Sequence, residues 1–201
     1  MLYSIAHYLK DKMPWLWALV DVINSIIFSL RYSDKLKTVE KQVFSSYEKE
    51  SGMNILSMSQ IATDKLVDFF ATQPEEAYTF FKPHGFDFNS IKKLQKNKSF
   101  LAYIFLDGDK IASYCFIRSF FHGKGFRGRM VGTDHRGRGL GTLMNKMMNE
   151  IGFGISLRLF ETVSKDNVAS YKSALSASNV KVVEEMEHNE LYLEILPDKN
   201  K

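Results

Sequence analysis

The spacing of apolar positions changes period several times along the chain. Leu16, Leu19, Val20, Ile23, Ile27 and Leu30 recur at helical intervals and place a wide apolar face on one helix over residues 14–30, interrupted by Asp21, Asn24 and Ser25. Residues 33–51 are dense in lysine and glutamate and read as a charged helical connector. From Gly52 the pattern is that of a folded domain. A short strand is predicted at Met53–Ser57, a helix at Thr63–Thr72 through Leu66, Phe69 and Phe70, and a short helix at Ala77–Phe81. Pro83 and Gly85 break the chain before another helix at Asn89–Gln95.

The period then shortens to two. Phe100–Leu106 and Ile111–Phe121 read as strands joined by the turn Asp107-Gly108, and Phe126–Thr133 follows a second turn at Gly123-Lys124-Gly125. Gly139–Ile151 returns to helical spacing with Leu143, Met147 and Ile151 on one face. A strand at Ser156–Val163, a helix at Asn167–Ala177 and a hairpin of Val180–Glu187 with Leu191–Leu196 complete the order, before a tail at 197–201 expected to fray. The succession predicts an α+β domain with a mixed sheet over residues 52–201, preceded by a helical extension over 1–51.

Composition narrows the function. A chain of 201 residues, 45% hydrophobic and 25% charged, matches a globular domain and excludes disordered and collagen-like classes. Its net charge of +4 suits a small anionic ligand better than a nucleic acid. The single cysteine, Cys115, excludes an intramolecular disulfide and a cysteine-based zinc site, and reads as core. The five histidines form no H-x-x-x-H pair, so no metal is expected. The 14–30 helix is too interrupted by polar residues for a spanning segment, and no small-residue cleavage site follows it, which points to a cytoplasmic location. It has three readings: packed on its own domain, packed on a second subunit, or lying at a membrane interface with Trp15 and Trp17. Because an apolar face needs cover, a homodimer is expected.

The densest chemistry lies in Val131-Gly-Thr-Asp-His-Arg136-Gly-Arg-Gly-Leu-Gly-Thr142, where a predicted strand ends and a helix begins. Gly137, Gly139 and Gly141 let the backbone approach a ligand closely, and amides at a helix start attract an anion. Arg136 and Arg138 add full charges, so a diphosphate is the natural occupant. No Gly-Lys-Ser/Thr follows, which excludes a P-loop, and the preceding antiparallel meander argues against a dinucleotide fold. Arg127, Arg129, Arg136 and Arg138 also allow an RNA-binding reading.

Arg136-Gly137-Arg138-Gly139-Leu140-Gly141 resembles the R/Q-x-x-G-x-G/A acyl-CoA loop of the GNAT N-acyltransferases, and Val163-Ser-Lys-Asp-Asn167 with Ser170 resembles that family's V-x-x-x-N-x-x-A/S signature. The resemblance covers about three quarters of the chain and leaves the N-terminal extension without a counterpart. It implies a mostly antiparallel seven-stranded sheet flanked by helices, and acyl-CoA held by Val131, Arg136, Gly137, Arg138, Gly139, Leu140, Gly141, Thr142, Asn167 and Ser170. It implies transfer of an acetyl or other short acyl group to an amine by direct attack in a ternary complex.

The family's general-acid tyrosine position holds Ala174 here, and Tyr171 stands one turn earlier, either as a substitute or as packing. Glu161 and His84 are the candidate bases, with Asp134 behind them. Phe80-Phe-Lys-Pro-His84-Gly-Phe86 looks similar to a segment of bacterial GNAT enzymes that acylate nucleotide-linked amino sugars for surface polysaccharides. Phe81, Lys82, His84 and Phe86 are thus candidate acceptor contacts, against the plainer reading of a hydrophobic lid. The alternatives are a GNAT acting on a protein amino terminus or a polyamine, and an RNA- or membrane-associated binding module.

Overall fold

The computed structural model describes residues 14–197. The expected frayed tail falls outside these from residue 198 on, as do residues 1–13, and the side chains of Trp15 and Trp17 are likewise not among those described.

Helix α1 runs without a break over Pro14–Ser51. The chain then alternates through β1 (Asn54–Ser57), α2 (Thr63–Ala71), α3 (Phe88–Lys96), β2 (Phe100–Asp107), β3 (Lys110–Ser119), β4 (Lys124–Val131), α4 (Leu140–Gly154), β5 (Arg158–Ser164), α5 (Val168–Ala177), β6 (Asn179–Met186) and β7 (Glu190–Leu196). The sheet has the order β1-β2-β3-β4-β5-β7-β6, and among the described residues β4 and β5 are the one parallel pair. It is the mixed, mostly antiparallel α+β architecture expected. Two short differences stand out. A single 3-10 turn at Glu75–Tyr78 replaces the expected helix at Ala77–Phe81, and Lys124 and Gly125 already belong to β4, with Gly123 at φ +90 making the turn.

Each face of the sheet buries its own core. On one, α1 and α4 pack Phe28, Tyr32, Val43, Tyr47, Met144, Met147 and Ile151 against Tyr103, Cys115 and Leu159. On the other, α2 and α3 supply Leu66, Phe70 and Ile91 against Ile104, Tyr114 and Phe116. The supposed connector is therefore a core element. Tyr32, Leu36, Val39, Val43 and Tyr47 recur at steps of four, three, four and four residues along its inner face, hidden among lysines. Side-chain bonds fix its register: Asn24 donates to Ser99 Oγ at 2.8 Å, the Tyr103 hydroxyl donates to Glu40 at 2.8 Å, and the Ile55 amide donates to Glu48 at 2.9 Å. Of the three readings for residues 14–30, packing on the domain holds for the face that carries Asn24 and Phe28, while Leu19, Ile23, Ile26 and Leu30 stay exposed. No helix among the described residues is long and apolar enough to cross a membrane.

Candidate active site

The site grows out of a local failure of pairing. β4 and β5 are bonded only through Lys124–Phe126 and Arg158–Phe160, then separate. Beyond Phe126 the β4 edge that faces β5 has no strand partner, so its backbone groups line a cleft of about 500 Å³. The wide end of the cleft is closed by the turn that follows β4 and by the first turns of α4 and α5.

That turn is built from glycine where the backbone demands it. Gly137 and Gly139 hold φ of +76 and +77, a region that side-chain-bearing residues rarely adopt. The chain thereby enters α4 without a side-chain cap. Among the described residues, none of the amides from Gly137 to Thr142 has a hydrogen-bond acceptor. These donors, the α4 dipole and Arg136 converge on one side of the cleft mouth, an arrangement that fits a diphosphate. Arg136 also reaches back to the Val131 carbonyl at 3.5 Å. Val131, Arg136, Gly137, Gly139, Leu140, Gly141, Thr142, Asn167 and Ser170 all line the cleft, whereas Arg138 does not. Asn167 caps α5 by accepting from the Ser170 amide at 3.1 Å, which sets the helix start against the cleft.

The candidate catalytic groups fare differently. Glu161 lies in the cleft wall but is tied down: its carboxylate accepts from Arg127 Nε at 2.7 Å and from Arg129 at 3.0 Å. Burial alone would raise its pKa, and the two guanidiniums more than offset that, holding it below the usual carboxylate range. A carboxylate so paired is a structural ion and a poor proton acceptor, which corrects its assignment as a base. His84 does not reach the cleft. Its Nδ1 donates to the Gly85 carbonyl at 2.8 Å, so Nε2 accepts from the Tyr114 hydroxyl at 2.8 Å and its lone pair is engaged. Burial, with Arg118 nearby, pushes the imidazole pKa below its ordinary value.

Tyr171 packs against the core cluster and is not among the residues lining the cleft, so packing is its role and the general-acid assignment is withdrawn. Asp134 lines a separate cavity with Lys65, Asp68 and Gly132. Cys115 is fully buried, and burial raises its thiol pKa.

The aromatic segment divides between two places. Phe81 lines the cleft and packs on Phe86 and Phe116, both at 6.3 Å between ring centroids. Lys82, His84 and Phe86 instead line a neighbouring pocket with Phe70 and Tyr78, on the α2 side of the sheet. The grouping of all four as one acceptor patch is corrected accordingly: only Phe81 touches the cleft.

Arg129 and Ser173, not among the sequence candidates for the site, complete the wall. Arg129 spans the cleft, donating to Glu161 and to both the carbonyl and hydroxyl oxygens of Ser170 at 3.0 Å. Thr142 and Ser173 sit within 3.3 Å of each other across α4 and α5. A polar stripe at 167, 170 and 173, spaced by three, was the available signal for that helix face. Arg127 and Arg129 are buried inward by Glu161, which removes them from an RNA-binding surface.

No protein-family description matches the sequence, and no curated protein matches it either. Solved structures do. The GNAT domain of S. lividans PAT superposes with a TM-score of 0.62 at 12% identity, covering 71% of this chain and 89% of that one. The Campylobacter jejuni N-acetyltransferase PseH gives 0.53 at 13%, over 71% and 96%. AAC(6')-Ib, in complex with paromomycin and acetyl-CoA, gives 0.54 at 12%, over 71% and 92%. The protein has the GNAT fold.

Proposed function

We propose that the protein is an acyl-CoA-dependent N-acyltransferase that moves an acetyl or other short acyl group to the amino group of a nucleotide-linked amino sugar, acting in the cytoplasm as a homodimer. The observation that carries the reading is the row of acceptor-less amides from Gly137 to Thr142 at the mouth of the cleft between β4 and β5. They hold the diphosphate of the coenzyme together with Arg136. Asn167 and Ser170 flank the arm below it, and a backbone amide on the free edge of β4 polarises the thioester carbonyl.

Binding donor and acceptor side by side supplies the orientation for direct attack, with no covalent enzyme intermediate. Neither Glu161 nor His84 is free to accept the proton, so the acceptor must need little help. A sugar amine, flanked by electron-withdrawing carbons, loses its proton more readily than a lysine, and water leading past Glu76 or Glu190 at the cleft suffices. An aminoglycoside acetyltransferase of the same fold, solved with coenzyme A and kanamycin, supports amino sugars as a class of acceptor. Phe80 and Phe81 offer faces for stacking on the ring or base.

The test is calorimetric titration with coenzyme A, followed by thiol release from acetyl-CoA in the presence of dTDP- and UDP-linked amino sugars. Coenzyme binding with sugar-dependent thiol release is expected. Binding without turnover on any such sugar rejects the acceptor, and absence of coenzyme binding rejects the enzyme.

A further inference from the structure

The inner end of the cleft holds a charge that the reading above leaves unused. Toward the Phe126–Phe160 pair the gap between β4 and β5 narrows, and Arg127, Arg129 and Glu161 line it. Both arginines are permanently protonated and share one carboxylate, so the cluster carries one net positive charge. Its other hydrogen-bond partners are neutral: the Asn145 carbonyl and Asn149 of α4, Ser170 of α5, and Ser178, while Glu76 lines the same cleft. Glu190, in register with Ser164, stands at the wide end. The Arg127 side chain is 0% exposed, yet its Nη2 has no partner, and neither does the buried Oδ1 of Asn145. A surplus charge and an orphan donor in a buried place are expensive to maintain.

Their position gives them a use. An arm anchored at residues 136–142 descends along β4 past Val131, and at the rise of a strand Arg129 lies about 7 Å and Arg127 about 13 Å further in. The acyl end of a bound thioester therefore meets guanidinium groups where an alkyl chain would want apolar walls. We infer that the transferred acyl group carries its own carboxylate, as in the half-thioester of a short dicarboxylic acid, and that Arg129 receives it, with Arg127 holding a second positive charge behind it. The inference rests on the coenzyme reading. In the transfer the amine nitrogen bonds to the thioester carbon and the carbon–sulfur bond breaks. Sulfur leaves with the electron pair and takes up the proton the amine loses, while the distal carboxylate stays unchanged.

The full chain titrated calorimetrically with coenzyme A, acetyl-CoA, malonyl-CoA and succinyl-CoA decides the matter. One of the two dicarboxylic esters is expected to bind about tenfold more tightly than acetyl-CoA, the gain of a charge-assisted contact. Arg129→Gln is expected to remove most of that advantage, and the wild-type comparison stands alone if the variant does not fold. Malonyl- and succinyl-CoA binding no better than acetyl-CoA, or an advantage that survives in a folded Arg129→Gln protein, overturns the inference and leaves the coenzyme site intact. Absence of binding by coenzyme A and all three esters overturns the coenzyme reading and the inference with it.

Discussion

A carboxylate between two guanidiniums and an imidazole beneath a tyrosine hydroxyl are both ionisable groups whose accepting lone pairs are already committed. For Glu161 the consequence is structural. Glu161→Gln leaves two buried cations with no counter-charge, and a loss of about 3–5 kcal/mol in urea denaturation is expected. A mere base, by contrast, would be removed with little change in stability. For His84 the consequence is a pH dependence. Its folded pKa lies below the ordinary 6.5, so between the two values the unfolded chain binds more protons than the native one. Stability from this residue is complete above about pH 6.5 and is lost as pH falls through the depressed folded value. A thermal-unfolding series from pH 7.5 to 5 is expected to decline, and His84→Gln to flatten that part of the slope. Arg136 is the opposite case, an exposed cation at the turn. Arg136→Ala is expected to leave the melting temperature unchanged while weakening coenzyme A binding about tenfold, read by calorimetry.

At the scale of elements, α1 shows how composition masks packing. Its lysines and glutamates dominate residues 33–51, yet Tyr32, Val43 and Tyr47 are 5–8% exposed against α4 and the sheet. Phe28→Ala, in the same stripe, is expected to cost about 3–5 kcal/mol, measurable as a lowered denaturation midpoint. The meander β2–β4 was legible because alternation and the Asp107-Gly108 turn agree, and α4 was legible because its glycine-rich start and its Leu143, Met147, Ile151 face agree. The divergence of β4 from β5 was not, since it arises from tertiary pairing that stops at Phe126.

The same limit governs the site. The turn at 136–142 is local and could be read from seven consecutive residues. The Arg127–Glu161 and Arg129–Glu161 pairs join positions 34 and 32 apart, and alternating arginines on a strand look like a solvated face until the partner is placed. His84 was misassigned for a similar reason, because the hydroxyl that occupies its nitrogen comes from Tyr114, 30 residues on.

For the whole molecule, the open question is what covers the outer face of α1. Leu19, Ile23, Ile26 and Leu30 follow one another at steps of four, three and four, the interval of a helix–helix seam, and Leu30 is 84% exposed. The seam ends where Asp34, Lys37 and Lys41 take over the surface, so it spans only the first half of the helix. A second copy placing the same seam against it buries both stripes at once, the self-complementary geometry of a two-fold dimer. The cleft between β4 and β5 shares no residue with this stripe. Replacing Ile23 and Ile26 together by Glu is thus expected to convert a dimer to a monomer in sedimentation velocity while coenzyme A affinity stays the same. A wild-type protein that sediments as a monomer at all concentrations would remove the second copy as the occupant. Co-sedimentation of that monomer with anionic vesicles, abolished by the same double substitution, would give the stripe to a lipid surface instead.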